Sequence, residues 1–306
     1  MQVQPVQNFL QGYHSCGPNA HRTGLLKLIR SPASQAFSLA VGGAIDSKGG
    51  HFMKGSWALV TGASAGIGWA IAEQLAARGV NLLITGRRAE RLQALKQQLV
   101  DQHKTLVEPL IFDVRNLKQC EAALKQKISH VANVSILINN AGLAKGADTP
   151  WTGKPDDWDQ MIDTNIKGLL YMTRLVLPYM IQRNSGHVVN MGSIAGHWTA
   201  PGGSVYSATK FAVRAITDGL RIDLGGTNIR VTNIEPGIAE TEFAHVRLGD
   251  EKGAAVYQGI TPLTANDVAE AVVWCLDRPS HVNIHELLIT PVAQTGCGPA
   301  YVHRQS

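Results

Sequence analysis

Two patterns of apolar and polar residues alternate along the chain from about Lys54 to its end. Short, nearly continuous apolar runs are typical of buried strands, and between most of them apolar residues recur at helical spacing. This alternation predicts a doubly wound α/β fold, in which a mostly parallel seven-stranded sheet has helices on both faces. The predicted strands are Trp57–Val60, Asn81–Thr85, Leu106–Phe112, Ser135–Ile138, His187–Met191, Ile229–Ile234 and His285–Ile289.

The helical pattern is clearest in four segments. Gly68–Arg78 and Glu90–Val100 predict helices of ordinary length, whereas Pro155–Gln182 and Val205–Leu224 predict long ones.

The first 52 residues show neither pattern. They are rich in Gln, Ser, Gly and His, and they contain four bases but a single acid, Asp46. We interpret residues 1–52 as an N-terminal extension, either disordered or produced by an upstream start, with Met53 as an alternative start. A targeting peptide is the competing interpretation, although no Arg-rich amphipathic stretch supports it. Residues 53–306 then form a single folded domain.

Composition and charge argue against several classes of protein. The chain carries a net charge of +5, but residues 53–306 hold 24 bases and 22 acids with no basic stripe, which disfavours nucleic acid binding. No apolar run reaches the roughly 18 residues of a membrane span. The cysteines are too widely spaced for a metal cluster or a redox pair, so we expect no metal and a reducing, cytoplasmic setting. They are Cys16, Cys120, Cys275 and Cys297.

A glycine-rich turn joins the first strand to the first helix. Glycines there let the chain turn sharply and approach a pyrophosphate closely, and the helix N-terminus offers free N–H groups to phosphate. This placement predicts a Rossmann-type dinucleotide site, although the spacing is G-x-x-x-G-x-G. The candidate cofactor-binding residues of the turn are Gly62, Ser64, Ala65, Gly66, Ile67 and Gly68.

Two arginines, Arg87 and Arg88, follow the second strand, where NAD enzymes often place an acid for the ribose 2′-hydroxyl. Cations at a helix N-terminus oppose the helix dipole, so a pair of them indicates an anionic ligand. Because arginine recognises phosphate through several donors, we predict NADP rather than NAD. A solvated helix start is the alternative.

The next two strands end in residues that suit the rest of a dinucleotide. Asp113, followed by Val114, could accept a hydrogen bond from the adenine amino group or cap the next helix. Asn140, Ala141 and Gly142 follow the fourth strand, where small residues and amides suit a ribose, or they form a plain turn.

Tyr206 and Lys210 are the candidate acid–base pair, because their i, i+4 spacing places them on one face of a predicted helix. A free tyrosine has a pKa of about 10, and a nearby ammonium together with an oxidised nicotinamide would lower it. Ser193, at the end of the fifth strand, could orient a substrate oxygen or simply cap a turn. Asn165 lies unfavourably inside a helical pattern, and it could hold a water that links Lys210 to solvent.

Taken together, these motifs resemble the short-chain dehydrogenase/reductase family from about Lys54 onward. The resemblance implies a catalytic tetrad of Asn165, Ser193, Tyr206 and Lys210, in a Rossmann-fold homotetramer whose interfaces use the two long helices. It also implies cofactor contacts from the segment after the sixth strand. Those residues are Pro236, Gly237 and Thr241.

Within that family the chain resembles bacterial NADP-dependent 3-hydroxy acid dehydrogenases. The resemblance rests on Thr85–Arg88, Met161–Asn165, Leu169–Arg174, Ile234–Gly237 and Val302–Gln305. It implies a small hydroxy acid or semialdehyde as substrate, such as serine, L-allo-threonine, 3-hydroxypropionate or malonic semialdehyde.

A carboxylate substrate requires a cation near the reacting carbon. The resemblance implies that the segment after Pro236 and Gly237 forms a lid over the substrate. Arg247, beside His245 in that segment, is the candidate, and Lys145 is the weaker second. Two other functions stay open: a reductase of larger ketones such as 3-oxoacyl thioesters, and an NADP-binding sensor without catalysis.

Overall fold

A parallel sheet of seven strands lies at the centre of residues 53–304, which are the residues that the computed structural model describes. Every neighbouring pair in this sheet is parallel, in the order β3-β2-β1-β4-β5-β6-β9. The predicted fold class is therefore confirmed, with a sheet that is wholly parallel. The prediction for residues 1–52 lies outside the described residues. The seven strands are β1 Trp57–Val60, β2 Asn81–Gly86, β3 Val107–Ile111, β4 Val134–Asn139, β5 Gly186–Met191, β6 Ile229–Pro236 and β9 Glu286–Ile289.

The helices cover both faces of the sheet, and this explains why the central strands are apolar throughout. All residues of β5 and β6 are buried. One face packs against α1, α2 and α10, and the other against α3 and α6. The helices are α1 Gly66–Ala76, α2 Ala89–His103, α3 Leu117–Gln126, α4 Ile128–Val131, α5 Pro155–Ile162, α6 Leu169–Arg183, α7 Ser204–Asp223, α8 Glu242–Leu248, α9 Asp250–Ala255 and α10 Ala265–Leu276.

The long helix predicted over Pro155–Gln182 is interrupted. A π-helical segment, Asp163–Gly168, joins α5 to α6 and contains Asn165. A π turn inserts an extra residue into the helix and costs hydrogen-bond geometry, so it persists where side-chain contacts compensate. Gly168 permits the arrangement, because a Cβ there would lie 2.8 Å from a methyl carbon of Val114.

A smaller group of elements lies beyond the sheet's carboxyl edge. Two short parallel strands, β7 Ala239–Glu240 and β8 Leu263–Thr264, flank α8 and α9. We call residues 239–264 the lid. Within the described residues, no helix combines the length and apolar character needed to cross a membrane.

Candidate active site

A cavity of about 720 Å³ lies at the carboxyl ends of the strands, where the strand order reverses between β1 and β4. Ligands of doubly wound sheets bind at this switch point. Every residue predicted for the site lines the cavity except Asn165, which is buried behind it. Residues separated by up to 185 positions along the chain, from Gly62 to Arg247, therefore meet around one space.

The glycine turn has the backbone that a pyrophosphate needs. Gly62 and Gly66 have φ of +67° and +55°, values that other residues rarely adopt. A Cβ on Gly68 would lie 2.4 Å from both the carbonyl oxygen of Gly62 and the side-chain nitrogen of Asn140. The N-cap residue of α1, Ala65, has no side chain that could cap the helix N-terminus. The turn is thus a cradle whose shape fits a dinucleotide phosphate.

Thr61, which the sequence did not single out, fastens the turn to the end of β4. Its Oγ1 accepts hydrogen bonds from the backbone nitrogens of Asn140 and Ala141, at 3.0 and 2.9 Å. The position of Asn140 is therefore set by a neighbouring strand as well as by its own turn. The sequence did offer one signal for the role of Thr61: it is the first residue after β1.

The two arginines after β2 stand beside the glycine turn. Arg88 Nε donates to Ser64 Oγ at 3.1 Å, and Arg88 Nη1 donates to Glu242 in the lid at 2.7 Å. Arg87 is more exposed, and its Nη1 lies 3.9 Å from Asp113. The end of β2 therefore presents positive charge next to the phosphate cradle, as the sequence predicted.

Asp113 does not cap a helix, so that alternative prediction is wrong. Asn116 caps α3 instead, accepting from the backbone nitrogen of Gln119. The Asp113 carboxylate is engaged by Arg115 at 2.6 to 3.1 Å. Burial alone would raise the pKa of Asp113, but hydrogen bonds and charge from Arg115 outweigh it and hold the pKa below its usual value. Its contact with adenine stays a prediction.

Ser193, Tyr206 and Lys210 converge from two elements at the inner end of the cavity. Ser193 is the N-cap of a short 3₁₀ turn after β5, and its Oγ accepts from Ala195. Burial raises the pKa of Tyr206, and a hydrogen bond with Ser193 and the charge of Arg247 act against that rise. The structure thus pairs the phenol with the hydroxyl that the sequence assigned to the same reacting oxygen.

Lys210 lies close to Tyr206, and its predicted effect on the Tyr206 pKa, together with an oxidised nicotinamide, stays a prediction. Its Nζ donates to the carbonyl of Met191 at 2.8 Å and lies 5.8 Å from the centre of the Tyr206 ring. Burial lowers the pKa of Lys210 to about 8. Arg247 of the lid also brings positive charge close to Tyr206: its Cζ stands 5.5 Å from the ring centre, and its charge acts against the rise that burial causes in the Tyr206 pKa. The sequence could not anticipate this, since the lid brings Arg247 to Tyr206 from a distant segment.

Asn165 joins the loop after β4 to α7. Its side-chain nitrogen donates to the Leu143 carbonyl and to Thr209 Oγ1, both at 2.9 Å, and its oxygen accepts from the Leu143 nitrogen at 2.9 Å. Both amide hydrogens are therefore used within the protein. These contacts explain why an Asn stands inside a helix, and the water link to Lys210 stays a prediction.

Arg247 is held on the wall of the cavity by Gly146. Its Nε donates to the Gly146 carbonyl, and the Gly146 nitrogen donates to the Arg247 carbonyl, both at 3.0 Å. Within the described residues, its two terminal nitrogens have no hydrogen-bond partner. Lys145 also lines the cavity, whereas His245 contacts Asp250 at 3.5 Å and does not.

The segment after β9 contributes residues that the sequence did not place in the site. Buried Gln294 accepts from the backbone nitrogen of Ile238 at 2.7 Å, which fixes the start of the lid. Cys297 lines the cavity; burial raises its pKa and the charge of Arg247 acts against this. Arg304 donates to the carbonyl of Gln258. Gln294 and Cys297 lie outside every motif named above, Arg304 lies within Val302–Gln305, and only the fold brings the three residues to the cavity.

Among residues 53–304, one cluster outside the cavity collects possible metal ligands, which the sequence did not anticipate. Ligand atoms of His197, Glu235 and Glu286 lie within 4.8 Å of one another. His197 Nε2 already pairs with Glu235 at 2.7 Å, and Arg214 pairs with Glu286 at 2.7 Å. These internal pairs account for the charges of the cluster, and we assign no metal to it.

Comparison with known proteins agrees with this geometry. The short chain dehydrogenase family model matches residues 56–252. The chain is 48% identical over 250 residues to the NADP-dependent 3-hydroxy acid dehydrogenase YdfG of Escherichia coli K12, covering 81% of this chain and 99% of that protein. It is 43% identical to sulfoacetaldehyde reductase 2 of Chromohalobacter salexigens, covering 77% and 94%.

Among solved structures, the chain is similar to the closed form of serine dehydrogenase complexed with NADP+. The TM-score is 0.73 at 47% identity, over 81% of this chain and 100% of that one.

Proposed function

The chain belongs to the short-chain dehydrogenase family and is an NADP-dependent oxidoreductase, and we propose that its substrates are small 3-hydroxy acids and the matching semialdehydes. Serine, L-allo-threonine and 3-hydroxypropionate are the proposed alcohols, and malonic semialdehyde is a proposed carbonyl substrate. The observation that carries the proposal is the guanidinium of Arg247, whose terminal nitrogens are unpaired among the described residues beside the Tyr206 ring. Support also comes from relatives named for 3-hydroxy acids, serine and sulfoacetaldehyde, all of which are anionic or zwitterionic compounds.

We propose that the phosphate cradle and the strand ends around it hold NADP. The turn would bind the pyrophosphate, Arg87 and Arg88 the 2′-phosphate, and Asp113 the adenine. When bound, the nicotinamide accepts or donates the hydride. The residues that would hold the dinucleotide are Gly62, Ser64, Ala65, Gly66, Ile67, Gly68, Arg87, Arg88, Asp113, Val114, Asn140, Ala141, Gly142, Tyr206, Lys210, Pro236, Gly237 and Thr241.

Tyr206 is the proposed proton-transfer residue. In the oxidation direction its phenolate oxygen takes the proton of the substrate hydroxyl, and in reduction its phenol returns that proton. Ser193 Oγ would hold the same substrate oxygen, and Lys210 would pass the proton onward, with Asn165 holding the loop behind it. The contribution of these residues is positioning and proton transfer.

Arg247 is the proposed partner of the substrate carboxylate. Arginine binds a carboxylate through two parallel hydrogen bonds, and Arg247 keeps its terminal nitrogens for such a contact while Gly146 holds its Nε. A larger thioester substrate would leave this charge without a partner, which disfavours that alternative.

A substrate panel tests the proposal with Arg247→Leu and the control Lys145→Leu, which removes another cation that lines the cavity. Loss of a charge-assisted contact should raise KM for 3-hydroxypropionate about 10- to 100-fold, and leave KM for an uncharged alcohol of equal size within about twofold. Lys145→Leu should change both substrates equally and little. If Arg247→Leu changed KM equally for both substrates, Arg247 would not be the partner of the substrate carboxylate.

We also propose a cytoplasmic homotetramer. The two long helical segments carry exposed apolar side chains that suit a contact between copies, among them Leu170, Ile181, Phe211 and Ile222. Light scattering on the purified chain measures the mass, and a monomer would contradict this part of the proposal.

A further inference from the structure

A carboxylate of the lid, Glu242, is bound to Arg88, which contacts the phosphate cradle, and to Arg91. We propose that Glu242, acting with Arg91, sets the affinity of the chain for the 2′-phosphate of NADP by competing with it for the same guanidinium donors. The inference rests on the use of NADP and is independent of which hydroxy acid is the substrate.

The contacts form a bridge between two distant segments. Glu242 Oε2 accepts from Arg88 Nη1 at 2.7 Å, and Glu242 Oε1 accepts from Arg91 Nη1. Arg88 also donates to Ser64 of the glycine turn at 3.1 Å. One carboxylate therefore occupies donors from two arginines, and one of these arginines is itself bonded to the cradle.

The bridge lies on the cavity and not on a remote surface. Glu242, Ser64 and Arg88 all line the cavity. The residue before Glu242, Thr241, packs on the turn, since a Cβ on Gly66 would lie 3.3 Å from its side chain. An anion held by Arg88 beside Ser64 would meet the carboxylate directly.

Charge then determines the direction of the effect. Hydrogen bonds from Arg88 and Arg91 hold the pKa of Glu242 below its usual value, so the carboxylate is ionised at neutral pH. A 2′-phosphate is also an anion at that pH, and it needs the same donors. The side chains of Glu242, Arg88 and Arg91 are 44 to 47% exposed. Exposed pairs of this kind are weak, so Glu242 would tune the phosphate affinity without blocking the site.

Arg91 is the residue that this arrangement adds to the cofactor site. It lies one helical turn after Arg88 in α2, and Glu242 draws it toward the same point. With the carboxylate displaced, Arg91 is a third arginine within reach of the 2′-phosphate. NADH lacks that phosphate, so neither residue should affect NADH binding.

The test is the binding of NADPH and NADH to Glu242→Gln, measured by titration of reduced-cofactor fluorescence without any substrate. The matched control is Glu240→Gln, which removes the same charge two residues away in the lid. Loss of two exposed ion pairs should tighten NADPH binding about three- to tenfold and leave NADH binding within about twofold. The control should change both affinities by less than about twofold.

A second variant separates the roles of the two residues. Adding Arg91→Gln to Glu242→Gln should cancel the gain in NADPH affinity and again leave NADH unchanged. Unchanged or weaker NADPH binding by Glu242→Gln, or an equal gain in the control, would overturn the proposal. Circular dichroism confirms that each variant is folded. Because no substrate is used, failure of the hydroxy acid proposal would leave this result intact.

Discussion

The cofactor end and the substrate end of the cavity are built in different ways. At the cofactor end, α1 buries six of its eleven residues against the sheet, and the glycine turn follows β1 directly. At the substrate end, the lid helix α8 buries a single residue, Ala244. Its position depends on long-range contacts, such as that between Arg247 and Gly146, 101 residues apart.

This difference in packing indicates which end of the cavity can change without destabilising the fold. The cofactor end is part of the packed core, so its geometry is fixed by the same burial that stabilises the sheet. The substrate end is held by a few hydrogen bonds on an exposed segment, and segments with few buried contacts open at low free-energy cost. A constant dinucleotide site can therefore serve different substrates as the lid changes.

The largest effect is expected from Tyr206→Phe, which should lower turnover far more than it weakens cofactor binding. Loss of a general acid–base typically lowers kcat by about 10²- to 10⁴-fold, whereas loss of one hydroxyl among the many contacts to the dinucleotide should weaken NADPH binding by only about three- to tenfold. Steady-state kinetics and a fluorescence titration of NADPH measure the two quantities. Near wild-type turnover would show that another group transfers the proton.

Gly68→Ala should weaken cofactor binding by distorting the glycine turn, without changing the substrate end of the cavity. The added Cβ would meet the Gly62 carbonyl at 2.4 Å, and such overpacking should weaken NADPH binding about 10- to 100-fold and lower the melting temperature. Gly219→Ala is the control, because its Cβ would have nothing within 4 Å. Equal loss of NADPH binding in both variants would mean that the cradle is not the binding site.

Lys210 lies where the two ends meet, and Lys210→Met should abolish turnover while making the chain more stable. Because burial lowers the pKa to about 8, the folded chain holds an ammonium at pH 7 at a cost. Removing it should raise the free energy of unfolding by about 1 to 3 kcal/mol, after allowing for the lost bond to Met191.

The stability gained by Lys210→Met should decrease as the pH rises. Below about pH 8 both folded and unfolded chains hold the proton, and the gain from Lys210→Met is full. Between pH 8 and the ordinary lysine value of about 10.4, the unfolded chain binds more protons than the folded one, so the wild type recovers stability and the gain shrinks. Urea unfolding at pH 7 and pH 10 measures it, with Lys118→Met, an exposed lysine, as the control. A gain that grows with pH would contradict the assignment.

Much of the fold and the cofactor end could be predicted because the signals are local. The seven strands fall within about two residues of the apolar runs in most cases, since a strand buried on both faces must be apolar throughout. The glycines and Arg88 follow their strands directly, so their place at the sheet edge follows from the strand assignment. The break in the long helix at Asn165 was not predicted, because its partner, Leu143, lies 22 residues away.

The sequence by itself therefore determined the doubly wound fold, the phosphate cradle and the pairing of Tyr206 with Lys210, since each depends on spacing along a strand or helix. The tertiary structure alone decided that Arg247 of the lid brings a second positive charge close to Tyr206, and that Glu242 meets Arg88 and Arg91. The physical reason is that these contacts join segments about 40 to 150 residues apart. Hydrophobic periodicity specifies which face of an element is buried, but not which exposed charges the folded chain brings together.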